Sequence, residues 1–305
     1  MDMKNVKNVD YWQIDHRLKN VSEREGAIVM PSPKAWEKFS WVKKYFLRKP
    51  EEGYFVWLKK EGKNPLTTCL TIASPNISQK LNNLLVIEEG IKVKINGFCN
   101  AQKNNLRGSH IAQGKIIIKK GASLEYNHCH QWGENDSVET DYRFILEENS
   151  SLNYNYKNLF PPKKLRIKTF VFEDKNSSSE LDITIRASNT KIDIKDNLVL
   201  KGKNSQGIVR LKLVGGENSE IKAKSSIVAK EEVRGHLDCQ GLLISESAKI
   251  FLTPELICQN KMAQITHEAS IGRISEEELI YLRTRGLNEK EAIGLIVNGF
   301  LVAKK

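Results

Sequence analysis

A recurring series of short β-prone runs between residues 84 and 270 constrains the fold more than any other feature of this chain. Runs such as GKIIIKKGASLEYN and SELDITIRA show strand-like alternation, and no convincing amphipathic helix interrupts the series. Turn residues precede the runs at separations of 31, 28, 27, 13, 15, 14 and 29 residues. Such a recurring unit, about 14 residues or its double, is typical of a solenoid. The turn residues are Gly90, Gly121, Asn149, Asn176, Asn189, Asn204, Asn218 and Ser247.

Strands that pair without helical crossovers form either an antiparallel sandwich or a β-helix. Sandwich hairpins favour Asn-Gly or Asp-Gly turns, and this chain has only Asn96-Gly97 and Asn298-Gly299. We therefore predict a mainly β protein with a right-handed parallel β-helix over residues 84–272, each coil having two or three strands. The open edges of such a stack need caps or a partner.

The N-terminal region, residues 1–83, is predicted to be a mixed, partly helical cap. Ser32-Pro33 favours the start of a helix, aromatic residues follow at helical spacing, and Pro50 ends the pattern. The polar stretch around TIASPNISQK, residues 62–83, is interpreted as a loop or linker.

The C-terminal region, residues 273–305, is predicted to be a helical hairpin. Ser275 and Glu278 have the spacing of a capping box, and Gly286 is placed to end the first helix. A second helical pattern follows at once. Helices placed after a solenoid either cap the stack or offer a docking surface.

Composition argues against several functional classes. The formal charge is +11, but the lysines are scattered and no RNP-type motif is present. We therefore interpret the excess charge as a solvated lysine-rich surface and expect no nucleic-acid binding.

No apolar run approaches the roughly 18 residues of a membrane helix, and MDMKNVKNVDYW carries no secretory signal. The five cysteines are isolated, which predicts a reducing cytoplasm. The chain has no GxxxxGK[ST], GxSxG, HExxH or GxGxxG motif, so we expect neither an enzyme nor a bound nucleotide.

Histidine pairs are the first candidate metal ligands. In an extended strand His128 and His130 point to one face and Cys129 points to the other. Two imidazoles on one face could chelate a metal, although two ligands do not complete a site. The alternative is a strand that presents two surface imidazoles around a buried cysteine. His236 is a further candidate ligand from the segment RGHLDCQG.

The same segment contains Cys239. A further pair of candidate ligands, His267-Glu268, follows about 28 residues later, which is one coil of the solenoid. That separation would bring Cys239 close to one of them. Alternation places His267 and Glu268 on opposite faces of a regular strand, so both serve one site only if the strand is irregular or a second chain contributes. By periodicity alone, a buried cysteine and a hydrogen-bonded histidine are the alternative.

Three C-terminal segments, HEASIGRI, YLRTRGL and EAIGLIVNGF, are specific in their combination and order. Through them the span 231–302 resembles the C-terminal core of the SufB/SufD family of iron–sulfur cluster assembly proteins. The resemblance implies a β-helix, dimers formed through it, and an ABC-type ATPase of the SufC kind bound through the C-terminal helices.

The resemblance also implies roles for single residues. Cys239 stands where SufB-like proteins carry the cysteine that receives sulfur and ligates the nascent cluster. His267 stands where SufB and SufD both carry a histidine near the dimer interface, and Glu268 matches the SufB type. The ATPase-docking surface would include Tyr281, Leu282, Arg283, Arg285, Gly286, Leu295 and Phe300.

The resemblance therefore implies a scaffold that assembles iron–sulfur clusters transiently and transfers them to apo iron–sulfur proteins. The chain is shorter than the usual SufB or SufD and lacks the Cys-rich N-terminal motif of some SufB proteins, which predicts a SufB-like form acting as a stand-alone homodimer. In a two-fold dimer, Cys239 of one chain would meet His267 of the other.

Two alternatives are kept beside this prediction. The first is a structural partner that binds the ATPase without holding a cluster. The second is a carbohydrate-active β-helix, which needs paired carboxylates on one solenoid face. Asp182, Asp193 and Asp196 are the acidic candidates on strands for that chemistry.

Overall fold

The computed structural model describes residues 9–302; the outer ends of the predicted cap and hairpin, residues 1–8 and 303–305, lie outside the described residues. The predicted mainly β class is confirmed. The strands are β1 (Tyr11–Ile14), β2 (Arg17–Val21), β3 (Ala27–Pro31), β4 (Tyr54–Leu58), β5 (Leu66–Ile72), β6 (Ser78–Ile87), β7 (Lys92–Ala101), β8 (Ser109–Ile118), β9 (Ser123–Gln131), β10 (Ser137–Leu146), β11 (Ser151–Phe160), β12 (Lys164–Glu173), β13 (Ser178–Ala187), β14 (Lys191–Leu200), β15 (Gln206–Gly215), β16 (Glu220–Ala229), β17 (Arg234–Leu243), β18 (Lys249–Cys258) and β19 (Gln264–Arg273). The helices are α1 (Ser32–Lys38), a 3-10 helix (Ser40–Tyr45), α2 (Glu276–Thr284) and α3 (Glu289–Val302). None of these helices combines the length and the apolar character that crossing a lipid bilayer requires.

Successive strands from β4 onward alternate between two sheets, which is the arrangement of a parallel β-solenoid. Sheet A has ten strands in the order β19-β17-β15-β13-β11-β9-β7-β5-β1-β2, and sheet B has nine in the order β18-β16-β14-β12-β10-β8-β6-β4-β3. Each coil therefore contributes one strand to each sheet, and two strands with their turns make the predicted repeat. Because most neighbouring strands pair without a slip, residues about 28 positions apart stack in rows along the solenoid.

All the turn residues that the spacing predicted, except Ser247, adopt the left-handed conformation. Asn149, Asn176 and Asn204 have φ of 58°, 55° and 62°, a region that asparagine tolerates better than other residues with a Cβ. Their side chains form a ladder, since the Asn176 amide donates to Asn149 Oδ1 at 3.1 Å and the Asn204 amide donates to Asn176 Oδ1 at 3.1 Å. A second ladder joins Asn218 to Asn189 at 3.1 Å. These ladders hold successive coils in register at the corners.

The core between the sheets changes in chemistry along the solenoid axis. Its middle coils bury aromatic side chains, among them Tyr126, Tyr154 and Tyr156, together with imidazoles. Its later coils are aliphatic, with Val209 and Leu237 stacked in neighbouring strands of sheet A. Burial of each large aliphatic side chain stabilises the fold by about 1.5–3 kcal/mol, so the later coils supply apolar stability while the middle coils carry polar groups.

The N-terminal region is mixed, as predicted, but its boundary differs from the prediction. The helices α1 and 3-10 cover the outer face of sheet B, where Ala35 and Val42 are buried. The strands β5 and β6 are already solenoid strands, so residues 62–83 are not a linker. The stretch is polar because Ser78 and Lys80 occupy the solvent-facing positions of β6, while the alternate residues face inward.

The predicted helical hairpin is present at the C-terminus. Its first helix, α2, begins at the capping box, where the Glu278 backbone N–H donates to Ser275 Oγ at 3.0 Å, and Gly286 follows the helix with a φ of 95°. The second helix packs on the outer face of sheet A, where Val297 is buried against Leu242. The hairpin therefore lies beside the solenoid and is attached to the strands near its end.

The last coil, formed by β18 and β19, is the open end of the solenoid among residues 9–302. Leu252, Leu256 and Ile265 are only half-buried although they face the core. Ile271 is 46% exposed, whereas Gly241, its partner in β17, is buried. This coil therefore presents unburied apolar side chains.

Candidate functional site

Cys239 lies on the inner face of β17, one coil below the open end. It is 2% exposed and stacks between Leu211 and Ala269 in its row. Burial raises the pKa of its thiol to about 12, and the charges of Asp196 and Asp238 act in the same direction. The thiol is therefore held in its neutral form at pH 7, and the neutral thiol is a weak nucleophile.

His267 and Glu268 lie on β19 with their side chains on opposite faces, as alternation predicts. The parallel register pairs His267 with Leu237 and Glu268 with Asp238. Because Leu237 faces the core, His267 stands on the inner face in the row beside that of Cys239, while Glu268 belongs to the outer face. Both side chains are exposed, since β19 ends the sheet in the described chain.

This end of the solenoid thus carries three kinds of metal ligand. Sulfur, imidazole nitrogen and carboxylate oxygen are all ligands that iron accepts. Within one chain, the sheet separates Glu268 from Cys239. A second copy across the open coil would supply another set of the same ligands.

His236 does not join this group. It lies on the outer face of β17, and its Nδ1 is 2.8 Å from Thr266 Oγ1. It lines an open groove along the starts of the sheet A strands, together with Glu180 and Arg234. Cys239 faces the opposite side of the sheet, so His236 and this cysteine do not point into one site.

The acidic residues of the carbohydrate alternative do not converge either. Asp182 lies on the outer face of sheet A, where it accepts a hydrogen bond from Arg210 at 3.2 Å. Asp193 is exposed on the outer face of sheet B. Asp196 faces the core, and burial raises its pKa to about 7. Because the three carboxyl groups lie on three different faces, they cannot act as a catalytic pair.

The predicted pair His128 and His130 is buried inside the solenoid. Both side chains share the inner face of β9, as predicted, and their Nε2 atoms are 2.9 Å apart. Cys129 is the half-buried residue on the outer face, so the alternative of two surface imidazoles around a buried cysteine is wrong. On this inner face His128 is in register with the buried Tyr156, and His130 is in register with the buried Asn158.

Cys99 completes this cluster and was not predicted. It pairs with His130 across β7 and β9, and its Sγ is 3.6 Å from His128 Nε2. The ligand atoms of all three residues lie within 4.8 Å of one another. The available signal was its separation from His130, which matches the interval between Gly90 and Gly121, one coil of the repeat.

Electrostatics keeps this cluster uncharged. Burial lowers the pKa of His128 to about 3, with a further contribution from His110, and lowers the pKa of His130 well below its usual value. Burial also raises the pKa of the Cys99 thiol well above its usual value. Neutral imidazoles have free lone pairs, and this is the form in which histidine binds metal ions.

The proposed docking residues of the hairpin divide into two groups. Leu282 is half-buried, and Phe300 packs with Val297 toward sheet A. The others face solvent and are available to a partner; Tyr281 and Leu295 are 59% and 54% exposed. The exposed members are Tyr281, Arg283, Arg285, Gly286 and Leu295.

Comparisons with known proteins agree with this architecture. A family model described as "SUF system FeS cluster assembly, SufBD core domain" matches residues 70–300. An iron–sulfur cluster assembly SufBD family protein of Archaeoglobus fulgidus is 32% identical over 95% of this chain and 84% of its own length. A SufBD family protein of Methanothermobacter thermautotrophicus is 27% identical over 91% of this chain and 73% of its own length. The iron–sulfur cluster assembly protein SufB of Bacillus subtilis is 23% identical over 82% of this chain, which spans only 55% of that relative.

The fold and the site define a two-sheet parallel β-solenoid with a thiol and an imidazole at its open end. The chain belongs to the SufBD family, and its family implies a role in iron–sulfur cluster assembly. The resemblance inferred from the C-terminal motifs is therefore confirmed, and the match extends through the solenoid as well.

Proposed function

We propose that this chain is a non-enzymatic scaffold on which an iron–sulfur cluster is assembled transiently and passed to apo iron–sulfur proteins. The observation that carries the proposal is the position of Cys239, one coil beneath an open end that exposes His267. The cluster is cargo, held by a few labile ligands and then released. The chain itself binds no nucleotide in this proposal.

The open coil supports a homodimer. Within the described residues, β18 and β19 have a strand neighbour on one side only, and an unpaired sheet edge is a template for a second chain. Exposed apolar side chains, among them Ile257 and Ile271, would be buried by such pairing. A two-fold axis at this coil would bring a second set of the same ligands to the interface, so that Cys239 of one chain would meet His267 of the other.

The chemistry of Cys239 requires a binding event to make the thiolate. Its thiol has a pKa of about 12 in the buried site, so the isolated chain protects the sulfur from reaction. A coordinating metal ion deprotonates a thiol outright, and the proton leaves to solvent. Iron loading at the dimer interface would therefore convert a protected thiol into a cluster ligand.

The C-terminal hairpin supports a partner of the SufC kind, an ABC-type ATPase. Its exposed side chains include Tyr281 and Leu295, and Arg283 adds positive charge. The hairpin is tied to the solenoid through Val297, which packs on Leu242 of β17. Because β17 also carries Cys239, a movement of the docked ATPase would be transmitted to the strand that holds the cluster ligand.

Anaerobic reconstitution tests the proposal. The chain is mixed with ferrous and ferric iron and sulfide. Iron, sulfide and the visible spectrum are then measured for the wild type, Cys239→Ser and Cys129→Ser. We expect a labile cluster in the wild type and in Cys129→Ser, whose thiol lies on the outer face, and its loss in Cys239→Ser. A full complement of cluster in Cys239→Ser would contradict the proposal.

A structural partner without a cluster is the second candidate. It is favoured by the deep burial of Cys239 and by the position of Glu268 on the other face of the sheet. The same reconstitution, repeated on the complex with the ATPase, separates the candidates. A complex that assembles fully but stays colourless and free of iron would support the structural partner.

A further inference from the structure

We propose that Cys99, His128 and His130 form an internal site for a zinc-class divalent metal ion, independent of the open coil. Sulfur and nitrogen ligands converge here, with 2.9 Å between the two Nε2 atoms and 3.6 Å between Cys99 Sγ and His128 Nε2. A tetrahedral zinc ion with ordinary bond lengths needs about 3.3 Å between nitrogens and about 3.6 Å between sulfur and nitrogen. The two imidazole nitrogens need to separate by only a few tenths of an ångström, and all three ligand atoms already lie within 4.8 Å of one another.

The outer contacts of both imidazoles match those of metal ligands. His128 Nδ1 is 3.1 Å from the Tyr154 hydroxyl, and His130 Nδ1 is 3.0 Å from the Tyr156 hydroxyl. A ligating histidine ordinarily uses its second ring nitrogen in such a hydrogen bond, which fixes the ring and its tautomer. The two tyrosines thus leave both Nε2 atoms directed at the same point as the cysteine sulfur.

Buried polar atoms without partners surround the cluster. Asn158 is in register with His130, and its Oδ1 has no hydrogen-bond partner among the described residues. His110 Nε2 and Trp132 Nε1 are also buried without one, and the His110 ring lies 6.4 Å from the His130 ring. Native cores rarely leave such atoms unsatisfied, so their concentration here points to a missing group. Three protein ligands leave the fourth position of an ion to water, which can hydrogen-bond to these atoms.

The ligand set selects the class of metal. Thiolate and imidazole suit zinc and its neighbours in the first transition row, whereas magnesium and calcium require oxygen ligands. The ligands Cys99, His128 and His130 are nearly free of solvent contact, so the ion would enter as the chain folds. Binding would release the Cys99 thiol proton to solvent. The proton between the two Nε2 atoms would move to Nδ1 of its own ring, which then donates to its tyrosine hydroxyl, and the ion would take its place between the rings.

Cobalt(II) is the probe for this site, because its spectrum reports a sulfur ligand directly. The full chain is produced in cobalt-supplemented medium or refolded with cobalt, and the metal content and the visible and near-ultraviolet spectra are recorded. We expect one cobalt ion per chain with a thiolate charge-transfer band. Cys99→Ser should lose that band, and Tyr156→Phe should weaken cobalt binding about 10–100-fold through the lost outer contact.

Two controls separate this site from the proposed function. Cys129→Ser changes the outer face of the strand that holds both histidines, and Cys239→Ser changes the open coil; both should keep the cobalt band. Circular dichroism checks that each variant is folded. Folded wild-type chain without cobalt, or an unchanged band in Cys99→Ser, would overturn the proposal. Loss of the band in Cys239→Ser alone would move the ion to the open coil and overturn it as well.

Discussion

The free energy of unfolding depends on pH through Asp196, because its carboxyl group is buried between the two sheets. It is 1% exposed on the inner face of β14, in a row between Thr169 and Ser225, and Ser225 Oγ donates to it at 3.3 Å. Burial raises its pKa from 3.8 to about 7, although hydrogen bonds from Thr169 and Ser225 oppose the rise. The folded chain therefore holds this proton more tightly than the unfolded chain does.

The sign and size of the effect follow from this difference. The protonated Asp196 carboxyl makes its full contribution to the stability of the fold below about pH 4, and this contribution is lost as the pH rises through about 7. The separation of the folded and unfolded pKa values of Asp196 corresponds to about 4 kcal/mol in the free energy of unfolding, of which about 3 kcal/mol falls between pH 5 and pH 8. Asparagine at this position cannot ionise, so Asp196→Asn should remove that part of the pH dependence.

Urea unfolding at pH 5 and pH 8, followed by tryptophan fluorescence, measures this difference. Asp193→Asn is the matched control, because Asp193 lies three residues earlier on the outer face of the same strand. We expect the wild type and Asp193→Asn to lose about 3 kcal/mol more than Asp196→Asn between the two pH values. Equal losses in Asp196→Asn and Asp193→Asn would refute the reasoning.

Three further predictions concern packing, turns and assembly. Gly114→Ala should lower the free energy of unfolding by about 1–3 kcal/mol in thermal denaturation, because its Cβ would lie 2.5 Å from a buried tyrosine ring. An unchanged stability would show that the neighbouring side chains move to accommodate the methyl group. Asn176→Ala should lower the free energy of unfolding by about 1–2 kcal/mol, because alanine strains the left-handed φ and removes the hydrogen bond to Asn149. Asn176→Gly should lose less, because glycine adopts this φ without strain. Equal losses in the two variants would refute the role of φ. Ile271→Asp should convert a dimer to a monomer in sedimentation velocity, whereas Leu47→Asp, at an exposed site outside the coil, should not.

The repeat was readable from the sequence because its turns are chemically restricted. A left-handed φ favours glycine and asparagine, so Gly121, Asn149 and Asn176 marked the corners without reference to any contact. The capping box at Ser275 was equally local, since its hydrogen bonds join residues three positions apart. The polar stretch 62–83 was misread because outward-facing polar residues in a strand resemble those of a loop.

The amino-acid pattern by itself determined which residues share a face: His128 with His130, and His267 opposite Glu268, because side chains alternate along a strand. Only the tertiary structure decided which face is inside. Burial depends on coils stacked in parallel register about 28 residues apart, and that stacking placed the histidine pair in the core and brought Cys99 to it. It also left His267 exposed, since no coil follows β19 in the described chain.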